Sequence, residues 1–174
     1  GLLDDLASLA GEVGDGPEGR ELTRTRALAI ASTGDFDEAF TLAQPLPPSV
    51  KVDLWKMLAA SGPDSAILAY AMEQAAAPAG LPRKTRLRLS ERLLSLGFPG
   101  EALGWAPGRD PDELLVAAGA ELLAGNARAA LTLIAGDDTM EANAIRARAL
   151  MQLGELGQAA ATYERMGDDE AAAV

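Results

Sequence analysis

The chain has 174 residues, with 15 Lys or Arg against 26 Asp or Glu, which gives a formal net charge of −11. This balance disfavours nucleic-acid binding, because a surface that neutralises phosphates needs clustered Lys and Arg. The chain contains no Cys and no His, which excludes disulfides, thiolate nucleophiles and structural zinc and removes the commonest general base. No apolar run approaches the roughly 20 residues that span a bilayer, so we expect no membrane insertion.

Aromatic residues make up only 4% of the chain, so Ala and Leu must fill the interior. Both residues favour helix, and their small or flexible side chains allow helices to approach closely. No stretch alternates apolar and polar residues as a half-buried strand does. The composition therefore predicts an all-α fold. Eleven helices are predicted at residues 2–12, 18–33, 36–44, 49–61, 64–76, 83–96, 99–105, 111–124, 126–134, 138–153 and 156–166.

The first predicted helix carries an apolar stripe without any preceding helix to cover it. The stripe consists of Leu2, Leu3, Leu6 and Leu9. The segment GDGPEG at residues 14–19 follows this helix. It is rich in Gly but has no strand before it, so we interpret it as a loop rather than a phosphate-binding loop.

The next predicted helices repeat one layout five times: a helical run, a Gly near its end, and a second run with a small residue four or five positions later. The glycines are Gly34, Gly62, Gly97, Gly125 and Gly154. The corresponding small residues are Ala39, Ala66, Ala102, Ala130 and Ala159. Glycine supplies the left-handed backbone that ends a helix, and the small residue lets two antiparallel helices touch. The layout predicts five short helical hairpins.

Clusters of turn residues separate these hairpins. They are PLPP at 45–48, APAGLP at 77–82, APGRDP at 106–111 and AGDD at 135–138. Within the third cluster, Asp110 and Pro111 with Glu113 form the pattern of an N-cap, a first-turn proline and a capping-box acid. At the far end, GDDEAAAV at 167–174 is typical of a cap followed by the start of another helix. We therefore expect the parent protein to continue beyond Val174.

The turn sequences resemble the tetratricopeptide repeat. Residues 34–39 read Gly-Asp-Phe-Asp-Glu-Ala, and residues 154–159 read Gly-Glu-Leu-Gly-Gln-Ala and are followed by Tyr163. Small residues also stand where the first helix of each hairpin meets the second, at Ala27, Ser90, Ala118 and Ala147. The resemblance covers residues 20–166. It implies a right-handed α-α superhelix, or solenoid, of about five antiparallel hairpins that forms a single domain over residues 1–174.

The sequence also departs from this family. The family period is about 34 residues, whereas most of the turn glycines here lie 28 or 29 residues apart. Shorter helices would account for the difference. The first-helix Trp and the Leu-Gly signature of the family are missing from most of the units, and Glu121 stands where an apolar residue is expected.

The resemblance implies that the first helices of successive hairpins line a groove for a peptide or a partner helix. Counting back from each turn Gly gives the candidate partner-binding residues Arg24, Lys56, Lys84, Glu91, Arg148 and Gln152. Four of these are cations on four different hairpins, which indicates an electropositive stripe for an acidic or carboxylate-bearing segment. The alternative is that these cations are solvated surface residues paired with nearby acids.

Other clusters have structural interpretations as well as functional ones. The basic segment RKTRLRLSER at 83–92 could dock an acidic partner or, more simply, pair with nearby acids. The two Trp residues, Trp55 and Trp105, are expected to fill the core rather than to anchor a ligand. The acidic pairs at 4–5, 137–138 and 168–169 are expected to lie at helix starts, where carboxylates complement the helix dipole. We expect no metal, no cofactor and no catalytic residue.

The leading hypothesis is a protein–protein or protein–peptide interaction scaffold, the cytoplasmic or periplasmic part of a larger bacterial-type protein. A second hypothesis is an architectural solenoid that spaces an enzymatic or membrane domain encoded elsewhere in the protein. A third is an intrinsic enzyme, which is disfavoured because carboxylates and arginines alone support few mechanisms. The partner itself is not identified by any residue pattern.

Overall fold

The computed structural model describes residues 1–13, 16–74, 77–107 and 110–172. Over these residues the chain forms eleven α-helices and no β-strand, so the predicted all-α class is confirmed. In chain order the helices are α1 (Leu2–Val13), α2 (Pro17–Ser32), α3 (Phe36–Leu42), α4 (Pro48–Ser61), α5 (Asp64–Ala71), α6 (Arg83–Ser95), α7 (Pro99–Trp105), α8 (Pro111–Leu123), α9 (Ala127–Leu133), α10 (Met140–Gln152) and α11 (Leu156–Ala172).

Every helix begins within two residues of its predicted start, and the two clear differences are at helix ends. Helix α5 ends at Ala71, short of the predicted end at 76, and residues 75–76 lie outside the described residues. Helix α11 continues to Ala172, so the prediction of a cap and a new helix at 167–169 is wrong. No Pro follows Gly167 and three Ala lie just beyond it, so this glycine does not end the helix.

The chain divides into two compact units, residues 1–88 and 89–174. In the first unit α2 packs against α1, α3 and α4. In the second unit α8 packs against α7, α9 and α10, and α10 packs against α9 and α11. In each unit, therefore, the first helices of consecutive hairpins (α2 with α4, α8 with α10) lie side by side. A single domain over residues 1–174 stays a prediction.

Four of the five turn glycines have the predicted left-handed backbone. Gly34, Gly97, Gly125 and Gly154 have φ values between 77° and 95°. The residue after Gly125 donates its N–H to the carbonyl of Glu121 at 2.8 Å, and the residue after Gly154 donates to Leu150 at 2.9 Å. These bonds are the six-to-one pairs of a Schellman motif, which satisfy carbonyls at the end of a helix.

Gly62 is the exception, with φ −64° and ψ 149°. The prediction of a left-handed residue at this position is wrong, because the residue before a proline is driven to extended backbone, and Pro63 follows. Glycine is nevertheless required by space. A β-carbon on Gly62 would lie 2.8 Å from the carbonyl oxygen of Leu58 and 2.9 Å from its α-carbon.

The small residues predicted at the hairpin contacts are buried, with one exception. Ala27, Ser90, Ala118 and Ala147 are fully buried, and so are Ala39, Ala102 and Ala130, with Ala159 nearly so. Ala66 is only half-buried. Five positions beyond Gly62, at the spacing of the other hairpins, stands Ile67, which is fully buried. The hairpin of α4 and α5 therefore carries a large residue where the others carry Ala.

The predicted packing role of the Trp residues is confirmed, since Trp105 is fully buried and Trp55 is 6% exposed. In the first unit the ring of Phe40 lies 5.2 Å from that of Trp55 and stacks on that of Tyr70 at 4.6 Å. Offset and tilted aromatic pairs at such distances add stability beyond their buried area. Tyr163, in the second unit, is 45% exposed.

Candidate functional site

In the first unit, α2 and α4 bring two of the predicted partner-binding cations to one carboxylate. Arg24 lies on α2, and Lys56 lies one turn after Asp53 on α4. Asp53 accepts a hydrogen bond from Lys56 Nζ at 3.0 Å and another from Arg24 Nη2 at 3.4 Å. Arg24 also donates to Glu21 at 2.9 Å within its own helix. These two cations therefore meet through Asp53, which the predicted set did not include.

The hydrogen bonds within this network shift the pKa values of Asp53 and Arg24. The hydrogen bond from Lys56, reinforced by that from Arg24, lowers the pKa of Asp53, whereas partial burial acts in the opposite direction. The hydrogen bond from Arg24 to Glu21 raises the pKa of this arginine further above its usual value. Both shifts favour the charged forms of Asp53 and Arg24 at neutral pH. The two cations, Arg24 and Lys56, are balanced by two anions, Glu21 and Asp53. The predicted electropositive stripe therefore has no excess positive charge at this place.

Beside this network, a cleft of about 320 Å³ opens between the first turns of α2 and α4. It is lined by Pro17, Arg20, Glu21, Arg24, Pro47, Ser49 and Val50. Two prolines shape it: Pro17 begins α2, and Pro47 precedes the first residue of α4. Proline suits these positions because its fixed φ matches a helix start and the first helical N–H groups have no intrahelical acceptor.

Of the residues that line this cleft, only Arg24 belongs to the predicted partner-binding set, and the residues at the helix starts do not. The sequence places Pro47 in a turn cluster. The signal that could have placed Pro47 at the cleft is the presence of proline at the helix starts. Pro17 and Pro47 mark where α2 and α4 begin, and these two beginnings lie beside each other. The cleft combines arginines, one glutamate and apolar proline and valine surface, so it can accept a peptide backbone with mixed side chains.

The third predicted cation of this unit, Lys84, is exposed near the start of α6. No contact within the described residues joins it to the Arg24–Asp53–Lys56 network. In the neighbouring basic cluster at 83–92, one residue, Arg88, makes a structural contact. Arg88 Nη2 donates to the carbonyl of Ala60 at 3.2 Å, and this carbonyl lies in the last turn of α4, where it lacks an intrahelical N–H partner.

The remaining predicted residues belong to the second unit. Glu91 is exposed on α6, and Arg148 is exposed on α10. The Gln152 side chain donates from Nε2 to the carbonyl of Leu122 at 3.1 Å, so it joins the end of α10 to the last turn of α8. Gln152 thus has a structural contact, and its predicted role in partner binding stays a prediction, as do those of Glu91 and Arg148.

The acidic pairs fall in different places along the helices. Asp4 and Asp5 lie in the first turn of α1, as predicted. Asp137 Oδ1 accepts the backbone N–H of Thr139 at 2.9 Å just before α10, and this bond lowers the pKa of Asp137. Asp168 and Asp169 lie within α11 instead of at a helix start, so that prediction is wrong.

Within the described residues, no three Asp or Glu side chains gather in a way that could hold a metal ion. Among the described helices, none is both long and apolar enough to cross a membrane. Comparisons of the chain with protein families, curated proteins and solved structures returned no match.

Proposed function

We propose that the chain is a tetratricopeptide-like interaction scaffold that binds an acidic peptide segment and has no catalytic activity of its own. The observation that carries this proposal is the side-by-side packing of α2 and α4, which leaves an open cleft with Arg24 on its wall. Hairpins whose first helices pack side by side are the unit of an α-α solenoid, and the repeats of a solenoid present a continuous binding surface.

The charge network beside the cleft supports an acidic ligand of modest affinity. Arg24 and Lys56 are already paired with Asp53, so an incoming carboxylate would exchange partners with Asp53 or Glu21 instead of filling an empty site. Both cations remain partly exposed, at 40% and 49% of their side chains. Such exchange favours selectivity and salt-sensitive binding over tight binding.

The test is selection from a random peptide library on the purified chain, repeated with the double variant Lys56→Glu, Lys84→Glu. We expect the unaltered chain to select peptides enriched in Asp and Glu, and the variant to lose them. A matched control is Lys51→Glu, Arg128→Glu, which has the same change in net charge outside the predicted groove positions. Circular dichroism of all three proteins checks that each remains helical.

Identical peptide selections by the two double variants would contradict a role for the predicted groove positions. Selection of no peptide at all by the unaltered chain would contradict the binding function and would favour the architectural solenoid. We retain the architectural solenoid as the alternative function, because the α2–α4 and α8–α10 contacts are as compatible with a spacer as with a binding surface.

A further inference from the structure

A second cleft, of about 480 Å³, lies in the second unit among α9, α10 and α11. It is lined by Leu131, Arg146, Leu150, Gln158, Ala161, Thr162 and Arg165. Leu150 and Thr162 are buried and form its floor, whereas Gln158 and Arg165 are exposed at its rim. None of the predicted partner-binding residues lines it.

The sequence builds this cleft through helical periodicity. Gln158, Ala161, Thr162 and Arg165 stand at positions i, i+3, i+4 and i+7 of α11, which places them along one face of the helix. Arg146 and Leu150 are one turn apart on α10 and so also share a face. The small Ala161 and Thr162 leave room between α11 and the helices it faces.

The charge of this cleft distinguishes it from the cleft between α2 and α4. Two arginines line it and no acidic residue does, in a chain with a net charge of −11. The α2–α4 cleft, in contrast, contains Glu21 and adjoins Asp53. Among the side chains that the structure describes, which end at residue 167, Arg165 takes part in none of the ion pairs, so its guanidinium can offer a bidentate fork to a carboxylate.

Arg146 is held in place by the chain itself. Its Nη2 donates to the carbonyls of Asp137 at 2.7 Å and Ile134 at 3.2 Å, and its Nη1 donates to the side chain of Asn143. These acceptors are neutral carbonyl oxygens, so they fix the guanidinium, and the nearby carboxylate of Asp137, whose pKa Arg146 helps to lower, offsets only part of its charge. The result is a pre-positioned positive charge beside an apolar floor, which reduces the ordering cost of binding.

We propose that this cleft binds a peptide segment in which an Asp or Glu carboxylate pairs with Arg165 in the field of Arg146, while a neighbouring aliphatic side chain packs on Leu131 and Leu150. The inference rests on the proposed peptide-binding function and deepens it by naming a second site and the ligand chemistry there. It uses no residue of the α2–α4 cleft, so the two sites can be tested separately.

The probe is an acetylated, amidated pentapeptide of alternating Leu and Asp, Leu at both ends, and its counterpart with Asn in place of Asp. Titration of the isotope-labelled chain, followed by nuclear magnetic resonance, reports on the methyl groups of Leu131, Leu150 and Thr162 and on the side-chain amide of Gln158. We expect saturable shifts at these groups with the Asp peptide and at least tenfold weaker binding of the Asn peptide, because charge-assisted hydrogen bonds are lost.

The variant is Arg165→Gln, which keeps a hydrogen-bonding side chain at an exposed position, and the matched control is Arg128→Gln, an exposed arginine of α9 outside the cleft. We expect Arg165→Gln to weaken binding of the Asp peptide roughly tenfold or more, and Arg128→Gln to leave it unchanged. Equal affinity for the Asp and Asn peptides, or equal effects of the two variants, would overturn the proposal.

The double variant Lys56→Glu, Lys84→Glu separates this proposal from the preceding one. Retained Asp-peptide binding in that variant, with loss in Arg165→Gln, supports the second cleft whatever the library selection shows. Loss in Lys56→Glu, Lys84→Glu with no change in Arg165→Gln would place the peptide at the predicted groove positions and overturn the inference, while leaving the proposed function intact.

Discussion

The phenolic hydroxyl of Tyr70 on α5 donates a hydrogen bond of 2.6 Å to a carboxylate oxygen of Asp37 on α3. The ring of the same tyrosine stacks on Phe40, so a polar and an aromatic contact join these two helices at one place. Partial burial, and then the hydrogen bond to Asp37, raises the pKa of Tyr70 to about 12. Both effects favour the neutral phenol.

We predict that Tyr70 titrates near pH 12 in the folded chain, two units above the ordinary value for a tyrosine. Because the folded pKa lies above the unfolded one, the associated stability is complete below about pH 10 and is lost as the pH rises towards 12. The measurement is the ultraviolet absorbance of tyrosinate in a Tyr163→Phe background, which leaves Tyr70 as the single phenol.

Asp37→Asn is the matched change for this prediction. It keeps the size of the side chain and removes the negative charge, so the pKa of Tyr70 should fall back towards its ordinary value. Titration of Tyr70 near pH 10 in both proteins would contradict the prediction.

The turn glycines offer a second prediction, since Gly125 and Gly62 resist substitution for different reasons. Gly125→Ala should lower the free energy of unfolding by roughly 1–2 kcal/mol, because Ala must adopt left-handed backbone at φ 84°. Gly62→Ala should cost about 1–3 kcal/mol through overpacking against Leu58. Urea unfolding followed by circular dichroism measures both changes.

Gly157→Ala is the control for the glycine series. This glycine lies inside α11 with open space at its β-carbon position, so Ala should raise the free energy of unfolding by about 0.5 kcal/mol. Equal losses at Gly157 and Gly125 would show that the backbone conformation of Gly125 is not what makes it necessary.

The sequence predicted the helices well because their boundaries depend on local chemistry. Asp35 accepts the N–H of Glu38 at 3.0 Å as an N-cap, Pro99 and Pro111 begin α7 and α8, and Gly154 ends α10 in left-handed backbone. Each of these signals acts within four or five residues, so it is visible in the sequence alone.

What the sequence did not predict depends on contacts between distant segments or on competition between local signals. At Gly62 the following proline prevails over the preference of glycine for a left-handed conformation. Asp53 entered no prediction, because its importance comes from Arg24, 29 residues away. The cleft at Arg146 and Arg165 needs α10 and α11 to face each other, which spacing within one helix does not specify.

The contact position of the hairpins supports a third prediction, on side-chain size. Ala130→Leu should destabilise the chain by about 1–3 kcal/mol, because it adds volume to a fully buried site. Ile67→Ala should cost about 2–5 kcal/mol by leaving a cavity at the equivalent position of α5. Thermal and urea unfolding of both variants measure these losses.

Ala66→Leu is the control for the size prediction. The half-buried Ala66 should accept the larger residue with a change within about 0.5 kcal/mol. A loss at Ala66 as large as that at Ala130 would contradict the assignment of Ile67 as the contact residue and would restore the spacing first predicted from the sequence.

The Arg24–Asp53–Lys56 network gives the last prediction, a pH-dependent coupling. Asp53 and Lys56 should show a favourable coupling of about 0.2–1 kcal/mol at neutral pH in a double-mutant cycle of Asp53→Asn and Lys56→Gln. The pKa of Asp53 lies below its ordinary 3.8, so the coupling is complete above that value. It should be lost as the pH falls through the lowered pKa, because the protonated carboxyl no longer attracts the ammonium group.

The cycle is measured by urea unfolding at neutral pH and again in acid, and a third measurement at high salt tests the physical origin of the coupling. Salt should weaken the coupling at neutral pH, since both side chains are partly exposed. A coupling that persists unchanged in acid would mean that a contact other than the ion pair joins the two side chains, such as a hydrogen bond from Lys56 to the neutral carboxyl, and that the ion pair adds nothing. In that case Lys56 could pair with an incoming carboxylate without first giving up Asp53. The affinity of the groove for acidic peptides should then be higher than it would be if the peptide had to displace Asp53 from Lys56.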